Sequence, residues 1–228
     1  MDKKIRVAIL DDHPTTVDGY LYRLEKDPQL LITATMNFGE ELEPALEKHP
    51  ADVLLLDVNV PTSKDNKNPY PILHAIPKLL EAHPGLNILV ISMHAERGLI
   101  RAVMDAGASG YILKDDPAIL KNLANVVKTI AEDGVQFSRM AHDLYAKHLS
   151  TEHDHLLSPR QLEVLSLCAA YPGDKTAEIA RKLNIKNSTV RNLLSAIYVK
   201  LDVPNRTAAI AKARNLGLIT PYQPEALP

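Results

Sequence analysis

Hydrophobic and polar residues follow two different patterns along the chain, and the change falls near residue 134. In residues 1–134, short apolar runs alternate with segments whose apolar residues recur at helical spacing. The apolar runs predict the strands Ile5–Leu10, Leu30–Met36, Val53–Asp57, Asn87–Ser92 and Gly110–Leu113. The amphipathic segments predict the helices Thr15–Lys26, Gly39–Lys48, Pro71–Ala82, Glu96–Ala106 and Pro117–Ala131. Such alternation is typical of a parallel sheet covered on both faces, so we predict a doubly wound, five-stranded α/β domain.

The C-terminal part of the chain has no strand pattern. Its apolar spacing predicts a small all-α domain over residues 157–219 with the four helices Pro159–Ala170, Thr176–Leu183, Asn187–Leu201 and Arg206–Leu216. We interpret residues 135–156 as a linker, in which Phe137–Leu149 has a short helical pattern. Residues 220–228 contain three prolines and are expected to form an irregular tail.

Charge is distributed unequally between the two parts. Residues 157–219 hold ten Lys or Arg and four Asp or Glu, a net charge of +6, whereas residues 1–156 carry −7. Such a split favours a nucleic-acid-binding half joined to an acidic half. The alternative is a chance cluster of basic residues on a helical surface.

Two further features indicate a cytoplasmic protein with no membrane partner. The N-terminus leads directly into a strand pattern without a signal-peptide core, and no apolar run is long enough to cross a bilayer. The single cysteine, Cys168, excludes an intramolecular disulfide, and its apolar surroundings predict a buried core thiol.

Polar residues end or directly follow four of the predicted strands at their carboxyl ends, the edge at which parallel sheets bind ligands. They are Asp11, Asp12, Asp57, Ser92 and Lys114. Three clustered carboxylates repel one another unless a hard cation lies among them, and oxygen ligands suit Mg²⁺. A lysine and a hydroxyl beside them would contact an anion. This combination predicts phosphoryl transfer onto a carboxylate.

Four motifs carry a resemblance to a known family: Ile9–Pro14, Leu55–Pro61, Ser92–His94 and Gly107–Lys114. Through them the N-terminal part resembles the receiver domain of two-component response regulators of the NarL/FixJ subfamily, typified by nitrate-response and nodulation regulators. The resemblance implies that Asp57 is the phosphoacceptor. It further implies that Lys114 contacts the phosphoryl group and that Ser92 and Tyr111 form a switch pair. The implied Mg²⁺ ligands are Asp11 (through water), Asp12, Asp57 and the Asn59 carbonyl.

Two features depart from that family pattern. Residues 62–71 replace a short glycine-containing turn after Pro61, and Pro77 falls inside the expected third helix, which it should break or shorten. The longer loop adjoins Asp57. It could alter kinase docking, Mg²⁺ affinity or phosphoryl lifetime, or it could be a tolerated surface insertion, since loop length costs little.

The third predicted helix of the C-terminal part has one apolar and one polar face. Val190, Leu194, Ile197 and Leu201 form the predicted buried stripe, and Asn187 or Ser188 is the expected N-cap. Exposed Arg and Asn near a helix N-terminus can read guanine and adenine in the major groove. The predicted groove contacts are Arg191, Asn192 and Ser195, and the predicted phosphate contacts are Lys186, Lys200 and Arg206. Ser188 and Thr189, in the first turn of the helix, are also predicted to bind DNA.

This part resembles the LuxR-type helix-turn-helix. The matching residues are Leu157–Arg160, Glu163–Leu165, Glu178–Ala180, Thr189–Asn192, Lys200–Leu201 and Asn205–Thr207. Gln161, Leu193 and Lys175–Ala177 depart from the family pattern, which leaves the operator sequence open. A helical protein-binding module is the alternative.

The two resemblances together imply a transcription regulator, not an enzyme. A sensor histidine kinase would phosphorylate Asp57, and this would release a recognition helix that the receiver masks. The released domain would then bind DNA as a homodimer, with RNA polymerase as a candidate partner.

Three alternative hypotheses remain open from the sequence. A receiver that responds to a ligand or partner instead of phosphate would retain DNA binding. A haloacid-dehalogenase-like phosphatase would need an Asp-X-Asp pair, where this chain has adjacent Asp11 and Asp12. Histidines around the linker could bind a metal or belong to a solvated polar segment; they are His142, His148, His153 and His155.

Overall fold

The N-terminal part of the chain folds around a parallel sheet. The computed structural model describes residues 4–149 and 156–221, without the side chains of 147–149. Its strands are β1 (Ile5–Leu10), β2 (Leu30–Met36), β3 (Val53–Leu56), β4 (Asn87–Ser92), β5 (Gly110–Leu113) and β6 (Gln136–Phe137). All neighbours pair in parallel in the order β2-β1-β3-β4-β5-β6. The doubly wound α/β prediction is confirmed, and the sheet has one strand more than expected.

Within residues 4–149, seven α-helices accompany this sheet. They are α1 (Pro14–Leu24), α2 (Leu42–Lys48, after a 3-10 turn at Gly39–Glu41), α3 (Ile72–Ala82), α4 (Arg97–Asp105), α5 (Pro117–Lys121), α6 (Leu123–Ala131) and α7 (Arg139–Leu149). The predicted helix 117–131 is divided at Asn122. Helix α3 continues through Pro77, so the expected break is wrong. The six buried residues of α3 include Ile72, Ile76 and Leu79. Their burial offsets the cost of the helix hydrogen bond that is lost at Pro77.

The sheet is apolar on both faces because helices cover both. One hydrophobic cluster joins Val7, Ile9 and Leu55 to α1 and α6. The other joins the opposite face, which includes Leu54 and Leu56, to helices α2, α3 and α4. Strand β3 is buried along its whole length, which explains its unbroken run of apolar residues.

Part of the predicted linker packs against the first domain. Strand β6 pairs with β5, and α7 contacts α4 and β5. Ser138, between β6 and α7, is buried and its Oγ accepts a hydrogen bond from the backbone N–H of Leu113 at 3.1 Å. Residues 150–155 lie outside the described ranges, and the boundary between the domains stays a prediction.

The C-terminal part contains the four predicted helices, α8 (Pro159–Ala170), α9 (Thr176–Lys182), α10 (Asn187–Leu201) and α11 (Arg206–Asn215). Ser158 caps α8 with a reciprocal hydrogen bond to Gln161. Asn184, with φ +50°, makes the tight connection from α9 to α10. Helix α10 begins at Asn187 with Lys186 as N-cap residue and no side-chain cap, so the expected Asn187 or Ser188 cap is wrong.

The two domains contact each other through α3, α4 and α8. Their apolar side chains belong to one continuous cluster, in which Leu54 of the sheet and Leu165 of α8 both lie. At the edge of this contact a Cβ on Gly98 would lie 2.9 Å from the carbonyl oxygen of Gly217. Only glycine at position 98 permits this approach without a local shift.

Candidate functional site

Three of the predicted site residues form a buried ion cluster at the carboxyl edge of the sheet. The Nζ of Lys114, which follows β5, lies 2.7 Å from Oδ2 of Asp11 and 2.8 Å from Oδ2 of Asp57. The two carboxylates follow β1 and β3, and their side chains are 2% and 5% exposed. The lysine therefore neutralises two acids that burial would otherwise leave unpaired.

Backbone groups fix the other carboxylate oxygens. The N–H of His13 donates to Oδ1 of Asp11 at 3.0 Å, and the N–H of Asn59 donates to Oδ1 of Asp57 at 3.3 Å. The backbone N–H of Asp57 itself bonds to the carbonyl of Leu10. Asn59 thus adjoins the cluster through its N–H, and both carboxylates are held in fixed orientations; the predicted role of its carbonyl in holding Mg²⁺ stays a prediction.

Burial and charge act in opposite directions on the ionisation of these groups. Burial raises the pKa of the Asp57 carboxyl, and the nearby Lys114 charge only partly offsets the rise. Burial also raises the pKa of Asp12. For Lys114, burial opposes the charged form, but the charges of Asp57 and Asp11 prevail and raise its pKa. The two acids therefore favour the charged form of the lysine.

The acidic cluster has the donor set that Mg²⁺ prefers. Asp11, Asp12, His13 and Asp57 place one ligand atom each within 4.8 Å of one another. Oδ1 of Asp12 is buried, and Nδ1 of His13 lies 2.9 Å from it. Clustered carboxylate oxygens are the ligands that Mg²⁺ prefers, so the three aspartates fit the predicted metal site.

The predicted switch residues lie inside the domain. Ser92 and Tyr111 are fully buried. The Tyr111 hydroxyl donates to the backbone carbonyl of His94 at 2.7 Å, and the N–H of His94 donates to Oγ of Ser92 at 3.1 Å. Burial raises the pKa of this phenol. Tyr111 is therefore held inside the domain in this structure, and its role as a switch residue stays a prediction.

The predicted DNA-contact residues are mostly open to solvent. Exposed on the surface are Lys186, Ser188, Thr189, Arg191, Asn192, Ser195 and Lys200. The first domain contacts α8 and the segment after α11, and among the described residues the polar face of α10 is exposed; masking of this helix in the unphosphorylated state stays a prediction. The buried stripe Val190, Leu194, Ile197 and Leu201 is confirmed.

Two of the predicted phosphate contacts make bonds within their own domain. Arg206 donates to the carbonyls of Asp174 and Pro172 at 2.6 and 2.9 Å, and Lys200 Nζ lies 3.2 Å from Oε1 of Gln161. Arg206 therefore stabilises the α8–α9 connection. A role for either residue in binding phosphate stays a prediction.

Sequence reasoning missed a hydrogen-bonded contact between the domains. His74 on α3 lies with Nδ1 2.7 Å from Oε1 of Glu163 on α8, and Arg160 also pairs with Glu163. Although burial opposes it, the hydrogen bonds from His74 and Arg160 lower the pKa of Glu163. Nothing in the local pattern marks these residues as partners, since 89 positions separate them.

Two other expectations concern membrane-spanning helices and a metal site in the linker. None of the helices in the described ranges is long and apolar enough to cross a membrane. Of the linker histidines, His142 is exposed, whereas His153, His155 and the side chain of His148 lie outside the described residues. The linker metal site stays untested.

Two family models match this chain. Residues 7–128 match the response regulator receiver domain, and residues 155–213 match the luxR family of bacterial regulatory proteins. The two matches follow the observed division into an α/β and an all-α part.

Known proteins of similar sequence and structure support the same family assignment. The transcriptional regulatory protein DesR of Bacillus subtilis is 31% identical over 87% of this chain and 90% of its own length. DegU of Brevibacillus brevis, also a transcriptional regulatory protein, is 28% identical over 96% of both chains. The response regulator RcsB of Salmonella typhimurium superposes with a TM-score of 0.63 at 25% identity, over 94% of this chain and 98% of its own. These relatives are regulators, which favours a regulator over a phosphatase.

Proposed function

Because the chain belongs to the response regulator receiver family and carries a luxR-type domain, we propose that phosphorylation of Asp57 by a sensor histidine kinase controls its binding to DNA. One observation carries this proposal: Lys114 contacts both Asp57 and Asp11 within a buried acidic cluster. A cation held against one carboxylate of such a cluster is the arrangement that phosphoryl transfer to Asp requires.

In the proposed reaction an Asp57 carboxylate oxygen attacks the phosphorus of a phosphohistidine. The new O–P bond forms as the P–N bond breaks, and the imidazole leaves with the electron pair and takes up a proton. Lys114 offsets charge on the phosphoryl oxygens, and the Asn59 N–H keeps the carboxylate oriented. Mg²⁺, held by Asp11, Asp12 and Asp57, would neutralise further charge on those oxygens.

The phosphoryl group would then act on the domain arrangement. Its negative charges compete with Asp11 for Lys114 and draw on the Ser92 hydroxyl at the end of β4. The exposed face of α10 would bind DNA, and RcsB, the structural neighbour, has been solved as dimers bound to DNA. We therefore include phosphorylation-dependent homodimerisation in the proposal, with RNA polymerase as a further candidate partner.

Labelling with acetyl phosphate and Mg²⁺ tests the phosphoacceptor. Wild type and the control Asp65→Ala, which removes a nearby exposed aspartate, should become phosphorylated, whereas Asp57→Ala should not. Phosphorylated wild type should also form dimers in light scattering and bind more genomic sites than Asp57→Ala. Label that persists in Asp57→Ala would move the acceptor elsewhere. An unchanged mass and binding profile after full phosphorylation would contradict the phosphate switch.

A further inference from the structure

The insertion after the phosphoacceptor, residues 62–71, is a packed hairpin. An antiparallel bridge joins Pro61 to Pro69, and both the N–H and the Oγ1 of Thr62 donate to the carbonyl of Asn68, at 2.9 and 2.8 Å. Thr62 is fully buried, and the N–H of Tyr70 bonds to the carbonyl of Val60. These bonds give the loop one defined shape, unlike a loosely tolerated surface insertion.

The hairpin is fixed to the receiver on its inner side. The N–H groups of Gly39 and Glu40 donate to the carbonyls of Pro61 and Thr62 at 3.0 and 2.9 Å. The Tyr70 ring fills the space beside Gly39, where a Cβ would lie only 2.0 Å from the ring. Since Asp57 precedes Pro61 by four residues, the loop and the phosphorylation site share one short stretch of backbone.

On its outer side the hairpin contacts the C-terminal domain through Asn66. The two ends of this amide have different tasks: Oδ1 accepts bonds from the N–H and the Nδ2 of Asn68, and Nδ2 donates to the carbonyl of Ala170 at 2.9 Å. Ala170 is the last residue of α8, where carbonyls have no partner within the helix. Asn66 therefore satisfies the end of a helix in the other domain.

Neighbouring contacts reinforce the same interface. His74, on the helix that follows the loop, pairs with Glu163 of α8. Tyr70 and Tyr171 line one small cavity between the domains. The loop contact thus lies at the end of a row of contacts between α3 and α8.

We propose that the 62–71 hairpin is a docking element for the C-terminal end of α8, and that it transmits phosphorylation of Asp57 to the domain arrangement. The docking half stands on the contacts above, whereas the transmission half rests on the proposed function. Asn66→Asp tests the docking specifically because it retains the oxygen that organises the hairpin but replaces the donor to Ala170 with an acceptor. Lys64→Gln is the matched control, since it changes the charge of the same loop equally at an exposed position.

The domain arrangement is measured by spin-label distances in the full chain. Labels at Glu81→Cys and Arg181→Cys lie on exposed positions of the two domains, and buried Cys168 stays unlabelled. Without phosphate, wild type and Lys64→Gln should give one narrow distribution. Asn66→Asp should raise the separated population about fivefold, the effect of one lost hydrogen bond. A distribution for Asn66→Asp identical to wild type, or a broad one for wild type, would overturn the docking.

The second measurement adds acetyl phosphate and Mg²⁺ and quantifies the label on Asp57. Phosphorylation should shift the wild-type and Lys64→Gln distances toward those of unphosphorylated Asn66→Asp, and should change Asn66→Asp itself much less. An equally large shift in equally phosphorylated Asn66→Asp would overturn transmission through the loop. Absence of label on wild-type Asp57 would instead contradict the proposed function, and the unphosphorylated measurement would still decide the docking.

Discussion

Replacing Lys114 by methionine removes the only cation that contacts both buried aspartates in the described part of the chain. Its Nζ lies 2.7 and 2.8 Å from the two carboxylates, and its side chain is 11% exposed. Methionine preserves most of the volume, so the change isolates the charge. Asp11 and Asp57 would then remain buried beside each other as unpaired anions.

The magnitude follows from the burial of all three groups. Removal of one partner from a buried ion pair costs about 3–5 kcal/mol, because the remaining charge keeps its desolvation penalty. We expect Lys114→Met to lower the free energy of unfolding by this amount in metal-free buffer at neutral pH. Addition of Mg²⁺ should restore part of the loss, since it supplies the missing positive charge.

Acidification should also reduce the deficit of this variant. Burial raises the pKa of Asp57, and loss of Lys114 should raise it further. A carboxyl whose pKa is higher in the folded state favours folding when protonated, and this contribution is lost as the pH rises through the folded pKa. The difference between variant and wild type should therefore shrink as the pH falls toward the folded pKa of Asp57.

Denaturant unfolding followed by circular dichroism measures these changes, with Lys78→Met on the exposed face of α3 as the control. The double variant Lys114→Met with Asp57→Asn should recover much of the stability, since it leaves one buried anion instead of two. Equal stability of Lys114→Met and wild type in metal-free buffer would refute the reasoning. So would a double variant as unstable as Lys114→Met alone.

Three further predictions concern the other parts of the site. Asp12→Asn should weaken Mg²⁺ binding about tenfold or more in calorimetric titration, since it removes a charged ligand; unchanged affinity would exclude Asp12 from the metal site. Tyr111→Phe should destabilise the protein by about 1 kcal/mol in denaturant unfolding because the His94 carbonyl loses its donor, and equal stability would contradict that bond. Arg191→Ala should weaken binding to an identified operator by about 1–3 kcal/mol in fluorescence anisotropy, whereas the exposed Arg181→Ala on α9 should not; equal losses would indicate a general charge effect.

The sheet and the acidic cluster were predictable because their signals are local. Strands such as β3 are buried on both faces and therefore appear as unbroken apolar runs. Residues directly after parallel strands meet at one edge, so the positions of Asp11, Asp57 and Lys114 alone indicated that they converge. The buried stripe of α10 was readable for the same reason, since one face of a helix has a fixed spacing.

Other features depend on contacts between distant residues. Strand β6 has two residues, too few for a periodic pattern, and forms because β5 offers an open edge. Helix α3 tolerates Pro77 because its other residues are buried by tertiary packing. The bond from Asn66 to Ala170 joins positions 104 residues apart, and no local pattern announces it.

The exposed polar face of α10 bears on how phosphorylation would change DNA binding under the proposed function. Arg191 and Asn192 are exposed while the domains are docked, so under the proposed function a single molecule would reach one half-site before any modification. A rearrangement of the domains would instead alter the separation and relative angle of the two α10 helices in the proposed homodimer. The spacing between half-sites along the duplex, more than the strength of either contact, would then distinguish operators that respond to the signal from those bound constitutively.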